Sequence, residues 1–164
     1  MTPPDQTPPS PPPQLRDVDL GEDGLAIRLL DLQRRSYALE AELVGFDAIP
    51  PLHESLDELR ASPLAWLVAE TDRRVLGAIA TERLADGVID IHRLVVDPGE
   101  LRRGIGRALV ERARGRSRAV VSTGRDNHPA VRLYSSLGFT PVGDQEVAPG
   151  FWVRRFEHPG ETDS

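Results

Sequence analysis

The segment Leu94–Leu109 contains residue types that bind anions when a helix begins among them. It reads LVVDPGELRRGIGRAL, which is the end of an apolar strand, a proline-marked turn and a basic loop with two glycines. The unpaired N–H groups of a first helical turn point outward at the positive end of the helix dipole, and glycine lets a ligand approach the main chain. Arg102, Arg103 and Arg107 add positive charge there. The pattern predicts a phosphate-binding loop, unless the glycines only allow close helix packing.

A second group of polar residues lies further along the chain, in the segment Asn127–Phe139, which reads NHPAVRLYSSLGF. Asn127 suits the N-cap of a helix. Tyr134 carries a phenol whose ordinary pKa of about 10 keeps it protonated at neutral pH, so it can donate a proton to a departing anion. The alternative is a tyrosine at the edge of the core with its hydroxyl at the surface.

A candidate proton acceptor comes from one strand. Asp90 and His92 alternate on one face of the predicted strand Val88–Val96. A histidine with a pKa of about 6.5 can take a proton directly or through water. The alternative places both side chains on the solvent face, and His53, after a double proline, could reach the same pocket. No histidine has a second ligand at metal-binding spacing, so we expect no metal site.

The amino-acid composition excludes several kinds of chemistry. The 20 strongly basic residues are all arginines, and the chain has no cysteine. The missing lysine rules out Walker-type phosphate loops, pyridoxal-phosphate Schiff bases and lysine-based aldolases. The missing cysteine rules out disulfides, thiolate metal sites and a cysteine nucleophile.

Charge is distributed unevenly along the chain, whose net charge is −6. Residues Gln14–Leu101 include nine arginines and eighteen acidic residues, whereas Arg102–Arg118 includes seven arginines and only Glu111 as an acid. Nucleic-acid-binding proteins spread positive charge over a broad face. The narrow basic segment therefore favours a compact polyphosphate ligand over nucleic acid.

The hydrophobic spacing predicts an α/β fold with a mixed sheet in one domain. Seven prolines in Met1–Pro13 predict a disordered lead, followed by a domain over residues 14–158 and a flexible tail over 159–164. No apolar run is long enough to span a bilayer and no secretory signal is visible, so we expect a soluble, cytoplasmic monomer or homodimer without membrane contact. Strands are predicted at Gln14–Leu20, Ala65–Glu70, Val75–Arg83, Val88–Val96, Ala119–Ser122, Phe139–Val147 and Gly150–Phe156.

Helical spacing accounts for the rest of the predicted domain. Asp23 is the expected cap of a helix over Gly24–Val44, and the capping-box residues Ser55 and Glu58 begin a short helix that ends near Ser62. A loop is expected over Gly45–Pro51 because of its two prolines. Further helices are predicted at Arg102–Gly115 and His128–Leu137.

The two polar segments together resemble the GNAT family of N-acetyltransferases. Its acyl-CoA loop has the form (Gln/Arg)-x-x-Gly-x-(Gly/Ala), and its later helix reads Asn-x-x-Ala-x-x-Leu-Tyr-x-x-x-Gly-Phe. Residues Asn127–Phe139 match the second pattern at every fixed position, whereas Leu101 stands at the Gln/Arg position of the first. The resemblance implies a mixed, mostly antiparallel central sheet of six to seven strands, flanked by about four helices.

The resemblance also implies roles for individual residues. Acetyl-CoA would be the acyl donor, with its pyrophosphate on the main chain of Arg102, Arg103, Gly104, Ile105, Gly106, Arg107 and Ala108. Its pantetheine arm would pair with Leu94, Val95 and Val96, and Asn127 would hydrogen-bond to that arm. Tyr134 would contact the thiolate and protonate it, while Asp90 and His92 flank the amine. Transfer to a primary amine of a small molecule or peptide would be direct, in a ternary complex.

The acceptor and the activity itself stay open at this point. The first two helices and their loop would form the acceptor wall, with Tyr37, Glu40, Glu42, Phe46, Asp47, His53 and Glu54. Acidic and aromatic groups suit a cationic amine, although Glu40 and Glu42 could be ordinary surface charges. The alternatives to an enzyme are a non-catalytic acyl-CoA-binding module and an unrelated nucleotide-binding α/β domain.

Overall fold

A seven-stranded mixed sheet organises the residues that the computed structural model describes, which are 12–45, 53–72, 74–101 and 103–162. The spatial order is β1-β2-β3-β4-β5-β7-β6, and every neighbouring pair is antiparallel except β4 with β5. The sheet confirms the predicted fold class. Its strands are β1 (Gln14–Val18), β2 (Ala65–Thr71), β3 (Arg74–Arg83), β4 (Ile89–Val96), β5 (Ala119–Gly124), β6 (Thr140–Ala148) and β7 (Phe151–His158).

Four α-helices cover the two faces of this sheet. They are α1 (Leu25–Val44), α2 (Leu56–Arg60), α3 (Ile105–Arg114) and α4 (His128–Ser136). The prediction that Asp23 caps α1 is wrong, because Gly24 is the N-cap and no side chain hydrogen-bonds there. None of the described helices is long and apolar enough to cross a membrane. Most of the predicted lead and of the predicted loop Gly45–Pro51 lies outside the described residues.

Alternation along the strands divides the core into two layers. In β2, Trp66 and Val68 pack under α1 and α2, whereas Leu67 and Ala69 pack under α3 and α4. Successive side chains of a strand point to opposite faces, so a strand buried on both faces is apolar at nearly every position. The burial of apolar area in both layers holds the helices against the sheet and fixes their positions around β4 and β5.

The centre of β4 carries one extra residue. Arg93 and Ile91 pair with successive residues of β3, so His92 is the bulged residue. On the other side of β4, the parallel ladder to β5 joins three residues of each strand and ends at Ile91, although both strands continue. A bulge bends its strand and increases the local twist. The main chain of residues 92–96 therefore lies outside the ladder between the two central strands.

Candidate active site

The predicted phosphate-binding loop connects β4 to α3. It begins with a 3-10 turn over Pro98–Glu100 and ends at Gly104, the N-cap of α3. Gly104 has a φ of 76°, in the left-handed region that other residues rarely adopt, and an added Cβ would meet no atom within 4 Å. The predicted helix Arg102–Gly115 therefore begins only at Ile105. Its first turn lines an open groove, where free N–H groups are available to an anion.

The arginines of this loop differ in their surroundings. Arg103 Nη1 donates a hydrogen bond to Glu100 Oε2 at 2.7 Å, and Arg107 Nη2 donates to Ser136 Oγ at 2.7 Å. Arg107 lines the groove, whereas Arg102 lies outside the described residues. An anionic ligand must therefore compete with Glu100 for the charge of Arg103.

A buried carboxylate fixes the start of the loop. Asp97 Oδ2 accepts hydrogen bonds from Arg35 Nη1 at 2.9 Å and Arg74 Nη2 at 3.1 Å, and its Oδ1 accepts from the Gly99 N–H at 2.9 Å. Burial alone would raise the pKa of Asp97, but these three hydrogen bonds outweigh burial and lower it. The loop is thereby tied to α1 and to β3, so its position depends on both sheet and helix.

A groove of about 670 Å³ runs along the N-terminus of α3, between α1 and α4. Leu43 from α1 and Leu101 from the loop are about half exposed there, so the residue that departs from the family loop pattern gives this groove an apolar wall. Such a mixture of apolar walls and main-chain donors suits an extended ligand with a phosphate group. The groove is lined by seven of the predicted cofactor-binding residues: Leu94, Val96, Gly104, Ile105, Gly106, Arg107 and Asn127.

Four of the predicted cofactor-binding residues that the structure describes do not line this groove, and one of them, Tyr134, lines a smaller cavity instead. The Val95 side chain is buried in the layer under α1, so it could contribute only its main chain. Arg103 and Ala108 also lie outside the lining, and for these two positions the predicted role rests on the main chain of the loop.

A smaller cavity of about 100 Å³ lies where β4 and β5 diverge. Residues 91–94 of β4 and 121–123 of β5 form its walls, and Tyr134 of α4 reaches it. Glu40 and Asn127 line both this cavity and the large groove. The two spaces therefore meet at a junction, which we define by Glu40 and Asn127.

Tyr134 is buried in the core and also reaches the small cavity. Its ring packs against Phe139, with ring centroids 5.3 Å apart, and against Phe156 at 6.1 Å. Burial raises the pKa of Tyr134 above that of a free phenol, and the nearby Glu40 carboxylate raises it further. The side chain is thus both a core residue and a protonated hydroxyl at the small cavity. The alternative is right that this tyrosine belongs to the core, but wrong that its hydroxyl lies at the surface, because the residue is only 3% exposed.

Asn127 connects α4 to α1. Its Oδ1 accepts a hydrogen bond from the Ala130 N–H at 3.3 Å, which caps α4 as the sequence predicts. The amide also lies close to the Glu40 carboxylate, whose pKa it partly lowers against the effect of burial. Because Oδ1 is used by the cap, Nδ2 is the group that can face this carboxylate.

Asp90 and His92 lie on the same face of β4, and they acquire a third partner from β3. His92 Nε2 lies 3.0 Å from Glu82 Oε2 and 3.4 Å from Asp90 Oδ2. The atoms of these three residues that could bind a metal ion lie within 4.8 Å of one another. The expectation of no metal site rested on spacing along the sequence, which does not show that Glu82 of β3 lies beside His92. The two carboxylates orient the imidazole, which is exposed as the solvent-face alternative expects. His92 also lines the small cavity, whereas Asp90 does not.

The residues predicted for the acceptor wall lie in different environments in the structure. Tyr37 is buried in the core and reaches the small cavity, whereas Glu42 is exposed on α1. Glu54 accepts two hydrogen bonds of 2.7 Å from Arg93. Burial opposes the ionisation of Glu54, but hydrogen bonds from Arg93 and Gln33 outweigh it and lower its pKa. His53 is exposed, and Phe46 and Asp47 lie outside the described residues.

The sequence reasoning missed three residues that organise the site, namely Glu82, Arg93 and Asp97. Each acts through a partner on another element, and no local pattern marks Glu82 or Arg93. A signal existed only for Asp97, whose position before a Pro-Gly turn is typical of a residue that caps the turn.

A mixed sheet whose two central strands diverge beside a helix N-terminus is the arrangement found in acyl-CoA N-acyltransferases. The family model described as the Acetyltransferase (GNAT) family matches residues 27–139, and the chain belongs to that family. Among solved structures, the chain is similar to the PaiA N-acetyltransferase of Thermoplasma acidophilum in complex with coenzyme A. The TM-score is 0.69 at 17% identity, covering 87% of this chain and 97% of that one.

Two curated relatives are similar in sequence. The UPF0157 protein YqkA of Bacillus subtilis (strain 168) is 32% identical over 139 residues, which are 82% of this chain and 40% of that protein. The mycothiol acetyltransferase of Thermomonospora curvata is 33% identical over 99 residues, which are 52% of this chain and 33% of that protein. The chain thus spans well under half the length of these relatives.

Proposed function

We propose that the chain is an acetyl-CoA-dependent N-acetyltransferase that moves the acetyl group directly to a primary amine of a small molecule or peptide. The observation that carries the proposal is the meeting of the large groove and the small cavity at Glu40 and Asn127. An extended donor in the groove would have its reactive end at the cavity, beside a protonated tyrosine. The similar structure that holds coenzyme A, and the relative named mycothiol acetyltransferase, support this proposal.

The proposed donor site uses main-chain groups and few side chains. The pyrophosphate would bind at Gly104 and Gly106 on the first turn of α3, with Arg107 beside it. The pantetheine arm would lie along Leu94–Val96, where the main chain lies outside the β4–β5 ladder. N–H groups of that segment could polarise the thioester carbonyl. Because the chain has no cysteine, the proposal involves no cysteinyl acyl-enzyme.

The proposed proton transfers use groups on either side of the small cavity. Tyr134 would protonate the departing thiolate, for which a raised pKa keeps its proton available. His92, oriented by Glu82 and Asp90, would take a proton from the amine nitrogen. Both residues line the cavity, which supports the proposal that an acid and a base act at one reaction centre.

The test is the release of thiol from acetyl-CoA in the presence of amines, measured with a thiol reagent. The chain has no cysteine, so the protein itself gives no background. The panel contains alkylamines, polyamines, an aminoglycoside and peptide N-termini. Turnover on any amine supports the proposal. Binding of CoA without turnover would favour the acyl-CoA-binding module instead, and absence of CoA binding would contradict both.

Tyr134→Phe separates catalysis from binding. The variant keeps the ring contacts with Phe139 and Phe156 and loses only the hydroxyl. We expect kcat to fall by about 100-fold or more, as for loss of a general acid, while the Kd for CoA changes little. An unchanged kcat would assign the protonation step to another group.

A further inference from the structure

Glu40 occupies an unusual position for a glutamate on a helix. It lies on α1, yet it lines both the large groove and the small cavity. The Asn127 amide, itself fixed by the cap of α4, lines both spaces as well and lies close enough to the Glu40 carboxylate to influence its pKa. The carboxylate therefore lies at the junction of the two spaces, where the donor and the acceptor would meet.

The carboxylate of Glu40 has no cationic partner in the described part of the chain. Arg93, which lines the small cavity together with Glu40, has its guanidinium engaged by Glu54 through two hydrogen bonds of 2.7 Å. The phenols of Tyr37 and Tyr134 line the same cavity and are neutral. A half-buried carboxylate without a counter-ion gains most from a cation that enters the cavity.

We propose that Glu40 is a catalytic residue of the acceptor site, which holds the ammonium group of a cationic amine and takes one of its protons. This inference rests on the proposed transfer of an acetyl group to an amine. Burial raises the pKa of Glu40, only partly opposed by the nearby Asn127 amide, and so makes it a stronger base than an exposed glutamate.

The proton balance gives Glu40 and His92 separate steps. An N–H bond of the ammonium breaks, its proton binds to Glu40, and the nitrogen keeps the electron pair. The neutral nitrogen then forms a bond to the thioester carbonyl carbon, and the second proton passes to His92. The C–S bond breaks, and the thiolate takes the proton of Tyr134. The phenolate regains a proton through water from His92, and Glu40 releases its proton to solvent.

The experiment compares Glu40→Gln with Glu42→Gln, a matched control two residues along the same helix. Although the sequence predicted Glu42 for the acceptor wall, its side chain is exposed and it lines neither the groove nor the small cavity. Glu40→Gln keeps the size and shape of the side chain and removes only its charge, so fold, Tm and CoA affinity should be kept. The probes are 1,4-diaminobutane, which is cationic at pH 7, and aniline, which is neutral.

For Glu40→Gln we expect kcat/KM with 1,4-diaminobutane to fall by about 100-fold, with a far smaller change for aniline. Glu42→Gln should match the wild type with both amines. A residue that only supports the structure would lower both rates equally, so equal losses overturn the inference. A Glu40→Gln variant as active as the wild type on 1,4-diaminobutane overturns it as well.

Calorimetric titration of 1,4-diaminobutane into the CoA-saturated protein tests whether Glu40 binds the ammonium group, and it does so without requiring turnover. The wild type and Glu42→Gln should bind the diamine more tightly than Glu40→Gln does. If this difference is present in a protein that turns over no amine, the ammonium site stands and the proposed function fails. If the difference is absent, the inference fails whatever the activity.

Discussion

Replacing Asp97 with asparagine tests whether the buried carboxylate holds the cofactor loop. The side chain of Asp97 is 3% exposed, and its partners Arg35 and Arg74 are 45% and 58% exposed. Asparagine can still accept the Gly99 N–H, but it cannot satisfy two guanidinium groups. Two hydrogen bonds to charged groups are therefore lost, and the arginines regain hydration because they are half exposed.

The magnitude follows from these two losses. A hydrogen bond to a charged group contributes about 1.5 kcal/mol at the lower end of its range, so Asp97→Asn should lower the free energy of unfolding by about 2 to 3 kcal/mol. For a chain of this size, that corresponds to a fall in Tm of roughly 4 to 12 °C. Asp31→Asn is the control, because Asp31 pairs with the same Arg35 but is 70% exposed. Asp31→Asn should lower the free energy of unfolding by about 0.5 kcal/mol or less.

The assay is urea unfolding at neutral and acidic pH. The pKa of Asp97 is lowered in the folded protein, so its contribution is present above the ordinary aspartate pKa and is lost as the pH falls through the folded pKa. The difference between wild type and Asp97→Asn should therefore be largest at pH 7 and shrink below about pH 4. Equal losses for Asp97→Asn and Asp31→Asn at pH 7 would refute this reasoning.

Three further predictions concern the donor site and the lead. Gly104→Ala and Gly87→Ala each put a Cβ at a positive φ and should each lower the free energy of unfolding by about 1 to 2 kcal/mol. Only Gly104 lines the groove, so only Gly104→Ala should weaken CoA binding in calorimetry. Neutralising Arg102 and Arg103 together should weaken CoA binding at low salt and less so at high salt, and no loss at either would contradict a phosphate role. Deleting Met1–Pro13 should leave Tm and CoA affinity unchanged, and a fall of many degrees would show that it packs on the domain.

The fold could be predicted because alternation and helical spacing are local properties. All seven strands and four helices lie within a few residues of their expected positions. The main error at a functional element is the start of α3, which begins after Gly104 and not at Arg102. A glycine is compatible with a helix or with a left-handed cap, and only its φ of 76° distinguishes the two.

The site could be predicted only where its residues are close in sequence. The loop at Gly104 and the helix that carries Asn127 and Tyr134 are contiguous motifs, so their residue types were sufficient to predict where these elements lie, while the roles of their residues stay predictions. Glu82 reaches His92 from the neighbouring strand, and the junction position of Glu40 depends on how α1 packs against α4. For Glu40 the only local signal is its place three residues after the buried Tyr37, on the same side of the helix.

The bulge at His92 explains why one strand carries residues of both the proposed amine site and the proposed acetyl-CoA site. With one extra residue, Arg93 returns to the face under α1, next to Trp66, where its guanidinium lies 5.7 Å from the ring centroid. Without the extra residue, alternation would send the following side chains to the opposite face. The same distortion coincides with the end of the ladder to β5 at Ile91, which opens the small cavity. A single inserted residue thus directs Arg93 to the face under α1 and leaves the main chain of Leu94–Val96 outside the ladder, where the proposed donor would bind.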